Sequence, residues 1–202
     1  MITIVDYGLG NMGSMLNMFQ RISVKARIES EPDELDKAEK LVLPGVGAFD
    51  AAMQRIQDKP GLKEVLINKA LGECIPVLGV CLGMQLLTTG SEEGVLPGLN
   101  WIPGETKRFP VLKGLKVPHM GWNIANPKSR SKLTRGVDQD SRYYFVHSYY
   151  VKTKTTSHSL MQTHYGIEFD SAIEHANIFG VQFHPEKSHR FGMTILKNFS
   201  EL

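Results

Sequence analysis

A cysteine flanked by glycines, between an apolar segment and a helix-prone segment, constrains this chain more than any other feature. Residues 77–80 form a short apolar run after a proline, which predicts a buried strand. Residues 82–87 are mostly unbranched and favour a helix. Gly79 and Gly83 flank Cys81, so the pattern predicts a sharp strand-to-helix turn that exposes one thiol. The start of the helix favours the thiolate form of that side chain.

This turn by itself leaves two interpretations open. A single cysteine in an apolar run is most often an inert core residue. The alternative is a nucleophile, which requires a base and an orienting group elsewhere in the chain. The choice therefore depends on partners for Cys81 outside this segment.

Composition favours an ordinary globular protein and excludes several functional classes. At 202 residues, with 42% hydrophobic and 22% charged residues, we expect one domain spanning 1–202. The 23 basic and 21 acidic residues nearly balance and form no basic cluster, which argues against nucleic-acid binding. Two cysteines make no disulfide framework, and no apolar run is long enough to span a membrane. With no evident leader segment, we expect a cytoplasmic protein.

The first half of the chain alternates between strand and helix patterns, which predicts a mostly parallel α/β sheet flanked by helices. We expect strands at 1–6, 24–28, 40–43, 77–80 and 178–183, and helices at 12–22, 49–57, 62–71, 82–87 and 189–199. Residues 44–47 (PGVG) follow the third strand, so backbone N–H groups there could turn toward a ligand. A tight turn is the simpler interpretation of that segment. In open sheets of this kind, ligands bind beyond the carboxyl ends of the strands.

From residue 90 onward glycine, proline and short strand-like pieces predominate. We expect strands near 101–104, 118–123 and 143–146, with a polar loop at 128–136. These pieces predict antiparallel strands added to the parallel sheet and not a second domain.

A histidine and a carboxylate follow the last predicted strand. Successive side chains of an extended segment point to opposite faces, so we expect His184 and Glu186 to project the same way. Pro185 disfavours a helix and keeps His184 extended. Together with Cys81, the pair predicts a Cys–His–Glu triad in which His184 is the base and Glu186 orients it. No cluster of residues has metal-ligand spacing, so we expect neither a metal nor a cofactor.

The triad order and the surrounding motifs resemble the class I (triad) glutamine amidotransferases. The resemblance is closest to the glutaminase subunits of imidazole glycerol phosphate synthase, and it runs over nearly the whole chain. The motifs that carry it are 6–11 (DYGLGN), 43–47 (LPGVG), 79–87 (GVCLGMQLL), 118–123 (PHMGWN), 145–149 (FVHSY) and 180–188 (GVQFHPEKS).

The resemblance implies a flavodoxin-like sheet and a site for glutamine. By resemblance the catalytic residues are Cys81, His184 and Glu186, and the substrate-binding residues are Gly45, Val46, Gly47, Leu82, Gln85, Ser148 and Tyr149. The Leu82 N–H and an N–H at Val46 or Gly47 would hold the oxyanion. Without the resemblance, Gln85 would be a surface residue and Ser148 a strand-end residue. His147 is more typical of a structural residue than of a base, since His184 already fills that role.

The resemblance also implies a partner. Asn11 and Lys187, otherwise simple exposed polar groups, would lie on the face that docks a (β/α)8-barrel synthase subunit, to which ammonia passes for histidine biosynthesis. Residues 91–94 and 187–193, with Phe191, look more like paralogues that supply ammonia to a surface-polysaccharide sugar amidotransferase. A stand-alone cysteine hydrolase and a non-catalytic subunit are the remaining alternatives.

Overall fold

The parallel half of the molecule is a twisted sheet whose strands end at the predicted functional loops. The computed structural model describes residues 1–202. Twelve strands are present: β1 (Ile2–Val5), β2 (Ala26–Glu29), β3 (Lys40–Gly45), β4 (Val77–Cys81), β5 (Gly104–Arg108), β6 (His119–Ile124), β7 (Asn126–Pro127), β8 (Arg142–His147), β9 (Tyr149–Thr153), β10 (Ser159–Tyr165), β11 (Ile167–His175) and β12 (Ile178–Val181). The α-helices are α1 (Met12–Arg21), α2 (Pro32–Leu35), α3 (Phe49–Asp58), α4 (Leu62–Ile67), α5 (Leu82–Leu86) and α6 (His189–Ser200).

Five parallel strands lie in the order β2-β1-β3-β4-β12. β1, β4 and β12 are buried along their whole length, as expected for strands covered by helices on both faces. β4 lies between β3 and β12, and Gly45 is in register with Cys81. The end of β4 is therefore flanked by the loop after β3 and by the segment after β12, which contains His184.

The second half extends the same sheet with antiparallel strands. β11 pairs antiparallel with β12 and with β10, and β9 joins β11 at a single pair. β5 pairs with β9, while β6 and β8 form a separate two-stranded sheet. In that small sheet His119 lies directly opposite His147.

The core occupies both faces of the main sheet. One hydrophobic cluster combines α1 and α6 with a group of buried aromatic residues from the second half, namely Phe109, Tyr143, Phe145, Phe169 and Phe183. The other cluster packs α2–α5 against the opposite face. The predicted class, a mostly parallel α/β sheet flanked by helices with added antiparallel strands, is thus the observed architecture. None of the helices has the length and apolar character needed to cross a membrane.

Three sequence predictions of local structure are wrong. The strand expected at 101–104 is a bend with buried Trp101 and Ile102, and β5 begins only at Gly104. The last parallel strand ends at Val181, two residues earlier than predicted. Pro185–Lys187 is a 3-10 turn and not an extended segment.

Candidate active site

Cys81 lies at a strained turn between β4 and α5. Its backbone has φ 56° and ψ −111°, a region that residues with a Cβ rarely adopt. Gly79 and Gly83 permit this turn because the backbone is tightly packed: a Cβ on Gly79 would lie 2.6 Å from the Gly83 carbonyl oxygen, and one on Gly83 would overlap the Leu43 carbonyl. The local sequence therefore forms the elbow that the glycine pattern predicts.

His184 and Glu186 form a buried pair. The His184 Nδ1–H donates to Glu186 Oε1 at 2.8 Å, and both side chains are 3% exposed. The Nε2 atom of His184 makes no hydrogen bond and is left to act on a nearby group. The sequence predicts this contact from an extended backbone, but a 3-10 turn at Pro185–Lys187 brings the Glu186 carboxylate to the Nδ1 atom of the ring instead.

The charge state of His184 follows from its neighbours. Burial alone would lower the pKa of the imidazole, but Cys81 and the Glu186 carboxylate act on it and raise the pKa above its ordinary value. Both neighbours favour the protonated ring, because each can accept a hydrogen bond from it and oppose its positive charge. The site therefore stabilises the imidazolium that forms when His184 takes a proton.

A cavity of about 360 Å³ opens in front of this pair, a size suited to a small metabolite. Its lining residues are Val46, Gly47, Cys81, Leu82, Gln85, Glu93, Pro118, Val146, His147, Ser148, Tyr149 and His184. A larger depression of about 780 Å³ lies near Asp6 and Arg55, but neither Cys81 nor His184 lines it. The cavity at Cys81 is therefore the candidate active site.

The predicted glutamine contacts divide into two groups. Val46, Gly47, Leu82, Gln85, Ser148 and Tyr149 all line the cavity. Gly45 does not; it is buried in β3, where an added Cβ would lie 2.5 Å from the Tyr7 hydroxyl and 2.9 Å from Leu82 Cβ. The Tyr7 hydroxyl donates to the Pro44 carbonyl at 2.5 Å, and this bond fixes the first residue of the 44–47 loop.

Gln85 is held in a network that the sequence does not reveal. Its Nε2 donates to the Tyr149 carbonyl and to Gln182 Oε1, each at 3.1 Å. Gln182 in turn directs its own Nε2 toward Cys81 Sγ at 3.7 Å. With both amide hydrogens of Gln85 occupied, its side-chain oxygen is the atom left to accept a hydrogen bond from a ligand.

Two further residues of the site are not predicted from the sequence. Gln182 is fully buried, and its one sequence signal is a polar residue in the apolar run at 178–183. Glu93 lines the cavity from a loop, where its Oε2 accepts the Phe49 N–H at 2.9 Å. A carboxylate there can pair with an ammonium group of a ligand, but nothing near Glu93 in the sequence indicates this position.

The predicted partner-facing residues lie on the surface. Asn11 is exposed and caps α1, its side-chain oxygen accepting the Ser14 N–H at 3.2 Å. Lys187 is exposed in the 3-10 turn that packs against α1, with Nζ 5.9 Å from the centre of the Tyr144 ring. Trp122, 47% exposed, stacks on His189 with ring centres 5.4 Å apart. We call Trp122, Tyr144, Lys187 and His189 the aromatic–basic patch.

The fold and site define the class of protein. A family model described as glutamine amidotransferase class-I matches residues 3–201. The chain therefore belongs to the class I glutamine amidotransferases, and the predicted family and enzyme class are confirmed.

Curated relatives narrow the resemblance within this family. The chain is 48% identical over 205 residues to the imidazole glycerol phosphate synthase subunit HisH of Bdellovibrio bacteriovorus, with 100% of both chains covered. It is 49% identical over 199 residues to the imidazole glycerol phosphate synthase subunit HisH 2 of Methanococcus maripaludis, with 98% of each covered.

Solved structures at lower identity share the fold. The structure of PurLQS from Thermotoga maritima matches with a TM-score of 0.76 at 15% identity, covering 99% of this chain and 97% of that one. A glutamine amidotransferase from Thermotoga maritima matches with a TM-score of 0.64 at 18% identity, covering 99% of this chain and 82% of that one. These matches confirm the predicted fold class.

Proposed function

We propose that this chain is the glutaminase subunit of an imidazole glycerol phosphate synthase. In this role it hydrolyses glutamine to glutamate and ammonia. The ammonia passes to a synthase subunit that makes imidazole glycerol phosphate and AICAR in histidine biosynthesis. The names of full-length relatives at 48–49% identity support the assignment. We further propose that residues 1–202 act as one glutamine amidotransferase domain.

One observation carries the proposal: Cys81 and His184, whose ring is held by Glu186, line the same cavity. His184 Nε2 takes the proton of Cys81, and the thiolate attacks the carboxamide carbon of glutamine. The oxyanion of the tetrahedral intermediate accepts hydrogen bonds from the Leu82 N–H and from an N–H at Val46 or Gly47. The imidazolium returns its proton to the leaving nitrogen, which departs as ammonia and leaves a thioester.

Water completes the cycle. His184, again neutral, takes a proton from water as that water attacks the thioester carbonyl, and then gives the proton to the departing Cys81 sulfur. Glu186 holds the ring through Nδ1 in both half-reactions and stabilises its charged form. Gln85, Ser148 and Tyr149 hold the amino-acid end of glutamine.

The aromatic–basic patch supports a docking role for the neighbouring face. Trp122 exposes nearly half of its surface, and large exposed aromatic residues beside a basic group are typical of protein interfaces. We propose that the chain forms a heterodimer in which Asn11, Lys187 and this patch contact a (β/α)8-barrel synthase. A cytoplasmic setting is proposed as well, since Cys74 is an exposed free thiol.

The test is glutamate release from glutamine. The protein alone should hydrolyse glutamine slowly, and Cys81→Ala should abolish this while circular dichroism stays unchanged. Cys74→Ala, which removes the other free cysteine far from the cavity, is the matched control and should keep full activity. Retained hydrolysis in Cys81→Ala would exclude Cys81 as the nucleophile.

The same assay with a barrel synthase and its nucleotide ligand tests the partner. A large stimulation supports the histidine-pathway assignment. Hydrolysis without stimulation would favour the paralogue that serves a surface-polysaccharide amidotransferase. Full activity without any partner would favour a stand-alone hydrolase.

A further inference from the structure

A chain of polar side chains crosses the aromatic cluster beside the cavity. Asn123 Nδ2 lies 3.2 Å from His119 Nε2, His119 Nδ1 lies 3.0 Å from His147 Nε2, and His147 Nδ1 lies 2.7 Å from the Tyr149 carbonyl oxygen. His119 and His147 are 3% and 6% exposed. We call Asn123, His119 and His147 the histidine relay.

The chemistry of the atoms fixes the direction of every bond. A carbonyl oxygen only accepts, so His147 donates through Nδ1–H to Tyr149. A neutral His147 then accepts at Nε2, and His119 must donate to it through Nδ1–H. His119 Nε2 in turn accepts from the Asn123 amide, whose nitrogen also donates to the His164 carbonyl at 3.0 Å. Burial lowers the pKa of His147 to about 3 and that of His119 to about 4, so both rings are neutral near neutral pH.

The inner end of the relay meets the network around the nucleophile. The Tyr149 carbonyl accepts both from His147 and from Gln85. Gln85 also donates to Gln182, and Gln182 points to Cys81 Sγ. An unbroken set of contacts therefore joins Asn123 to the wall of the cavity and to the thiol.

Packing alone does not require histidines at these positions. The ring of His147 lies among Phe109, Phe145 and Phe169, with centres 5.3–5.6 Å away. Phenylalanine would fill this space without the cost of burying two imidazoles. What the histidines add is a directed donor to one carbonyl of the cavity wall.

We propose that the histidine relay is a positioning device for glutamine. It holds the Tyr149 carbonyl in place, and that carbonyl orients Gln85 and fixes residues 148–149 against the bound substrate. The proposal rests on the proposed glutaminase function and assigns to His147 and His119 a role in binding, with no proton transferred to substrate.

The test compares three variants in glutamine hydrolysis. His147→Phe keeps a ring of similar size but removes the donor, and it should raise KM for glutamine about tenfold with a smaller fall in kcat. His147→Asn keeps an N–H near the position of Nδ1 and should recover most of the loss. Phe109→Leu loosens the packing around the same rings but removes no hydrogen bond of the relay, and it should lower the melting temperature without the rise in KM.

A readout that needs no turnover separates this proposal from the proposed function. The measured quantity is the selectivity of Cys81, defined as its rate of reaction with a γ-electrophilic glutamine analogue divided by its rate of reaction with iodoacetamide. This ratio should fall about tenfold in His147→Phe and stay near the wild-type value in Phe109→Leu. An unchanged ratio and KM in His147→Phe, or equal losses in all three variants, would overturn the relay. A wild-type protein that keeps the selectivity but hydrolyses no glutamine would overturn the glutaminase function alone.

Discussion

Two buried histidines line the same cavity, and folding shifts their pKa values in opposite directions. His184, after β12, has a pKa above its ordinary value, whereas His147, at the end of β8, has a pKa of about 3. Both are almost fully buried, so burial alone does not separate them. What differs is the neighbours of each ring: Cys81 and the Glu186 carboxylate both raise the pKa of His184, whereas the Nδ1–H of His147 meets only a neutral backbone carbonyl.

This difference determines what each ring can do. The negative charge of Glu186 stabilises an imidazolium, so His184 can take and return a proton. The Tyr149 carbonyl is neutral, so the buried His147 stays uncharged and serves as a fixed donor. The role of a buried histidine therefore cannot be inferred from its residue type alone and depends on the groups that contact its ring.

The largest expected effect comes from His184. His184→Gln removes the group that takes the proton of Cys81, and kcat for glutamine hydrolysis should fall by about 10³-fold or more. Steady-state glutamate release measures it, with His175→Gln, at an exposed histidine outside the cavity, as the control. A His184 variant with near-normal kcat would reverse the roles given to the two histidines.

Glu186→Gln should lower kcat by about 10²-fold, because it keeps a hydrogen-bonding group but removes the charge. Without that charge the pKa of His184 should move down toward its ordinary value. The alkaline limb of the pH–rate profile should then shift to lower pH, since the imidazolium is lost sooner. An unshifted limb would mean that Glu186 does not set the charge of His184.

Gln182→Leu tests the link between the two sides of the cavity. It removes the contact to Cys81 Sγ and leaves one amide hydrogen of Gln85 without its partner, so kcat/KM should fall about tenfold. Gln162→Leu, at a partly buried glutamine that does not line the cavity, is the control. Equal losses in the two variants would point to a general effect on packing.

The smallest effect is on stability, and it has opposite signs for the two rings. Folding lowers the pKa of His147, so below about pH 6.5 the unfolded chain binds a proton at this residue before the folded protein does. The free energy of unfolding therefore falls as the pH falls through this range. Between pH 7 and pH 5 this amounts to at most about 2 kcal/mol. The pKa of His184 is raised, so its contribution is fully present below about pH 6.5 and is lost as pH rises toward the folded value.

Urea unfolding at several pH values measures this prediction. His147→Phe should lose less stability than the wild type between pH 7 and pH 5, and His184→Gln should lose less above pH 7. Identical pH slopes for the wild type and both variants would contradict the opposite pKa shifts of His147 and His184.

Much of the parallel half could be predicted from the sequence because its signals are local. β4, the turn at Cys81 and α5 follow from contiguous apolar residues and two glycines. β10 and β11 were not predicted, because polar residues such as Asp170 and Ser171 lie buried within an apolar pattern. Asp170 is satisfied there by Thr153, Ser159 and Gln162, which are distant in sequence, and a single-sequence pattern does not contain such contacts.

The active site shows the same contrast between residues with local sequence signals and residues placed by long-range contacts. Cys81, His184 and Glu186 are marked by short motifs, although the contact between the last two is made by a turn that the alternation rule did not predict. The sequence does not predict roles for Glu93 and Gln182, because their hydrogen-bond partners, Phe49 and Gln85, lie far away in the chain. Long-range hydrogen bonds, and not residue type, place Glu93 at the cavity and Gln182 beside Cys81.

The crowding at the cysteine elbow determines how this pocket could be re-engineered. Any side chain at Gly79 or Gly83 would collide with backbone carbonyls, and these cannot rotate away as a flexible side chain could. Libraries aimed at new amide substrates should therefore leave the nucleophile side unvaried. Diversity belongs at Val46, Ser148 and Tyr149, which line the cavity and keep part of their surface exposed, so that a new side chain there changes substrate contacts without meeting packed backbone.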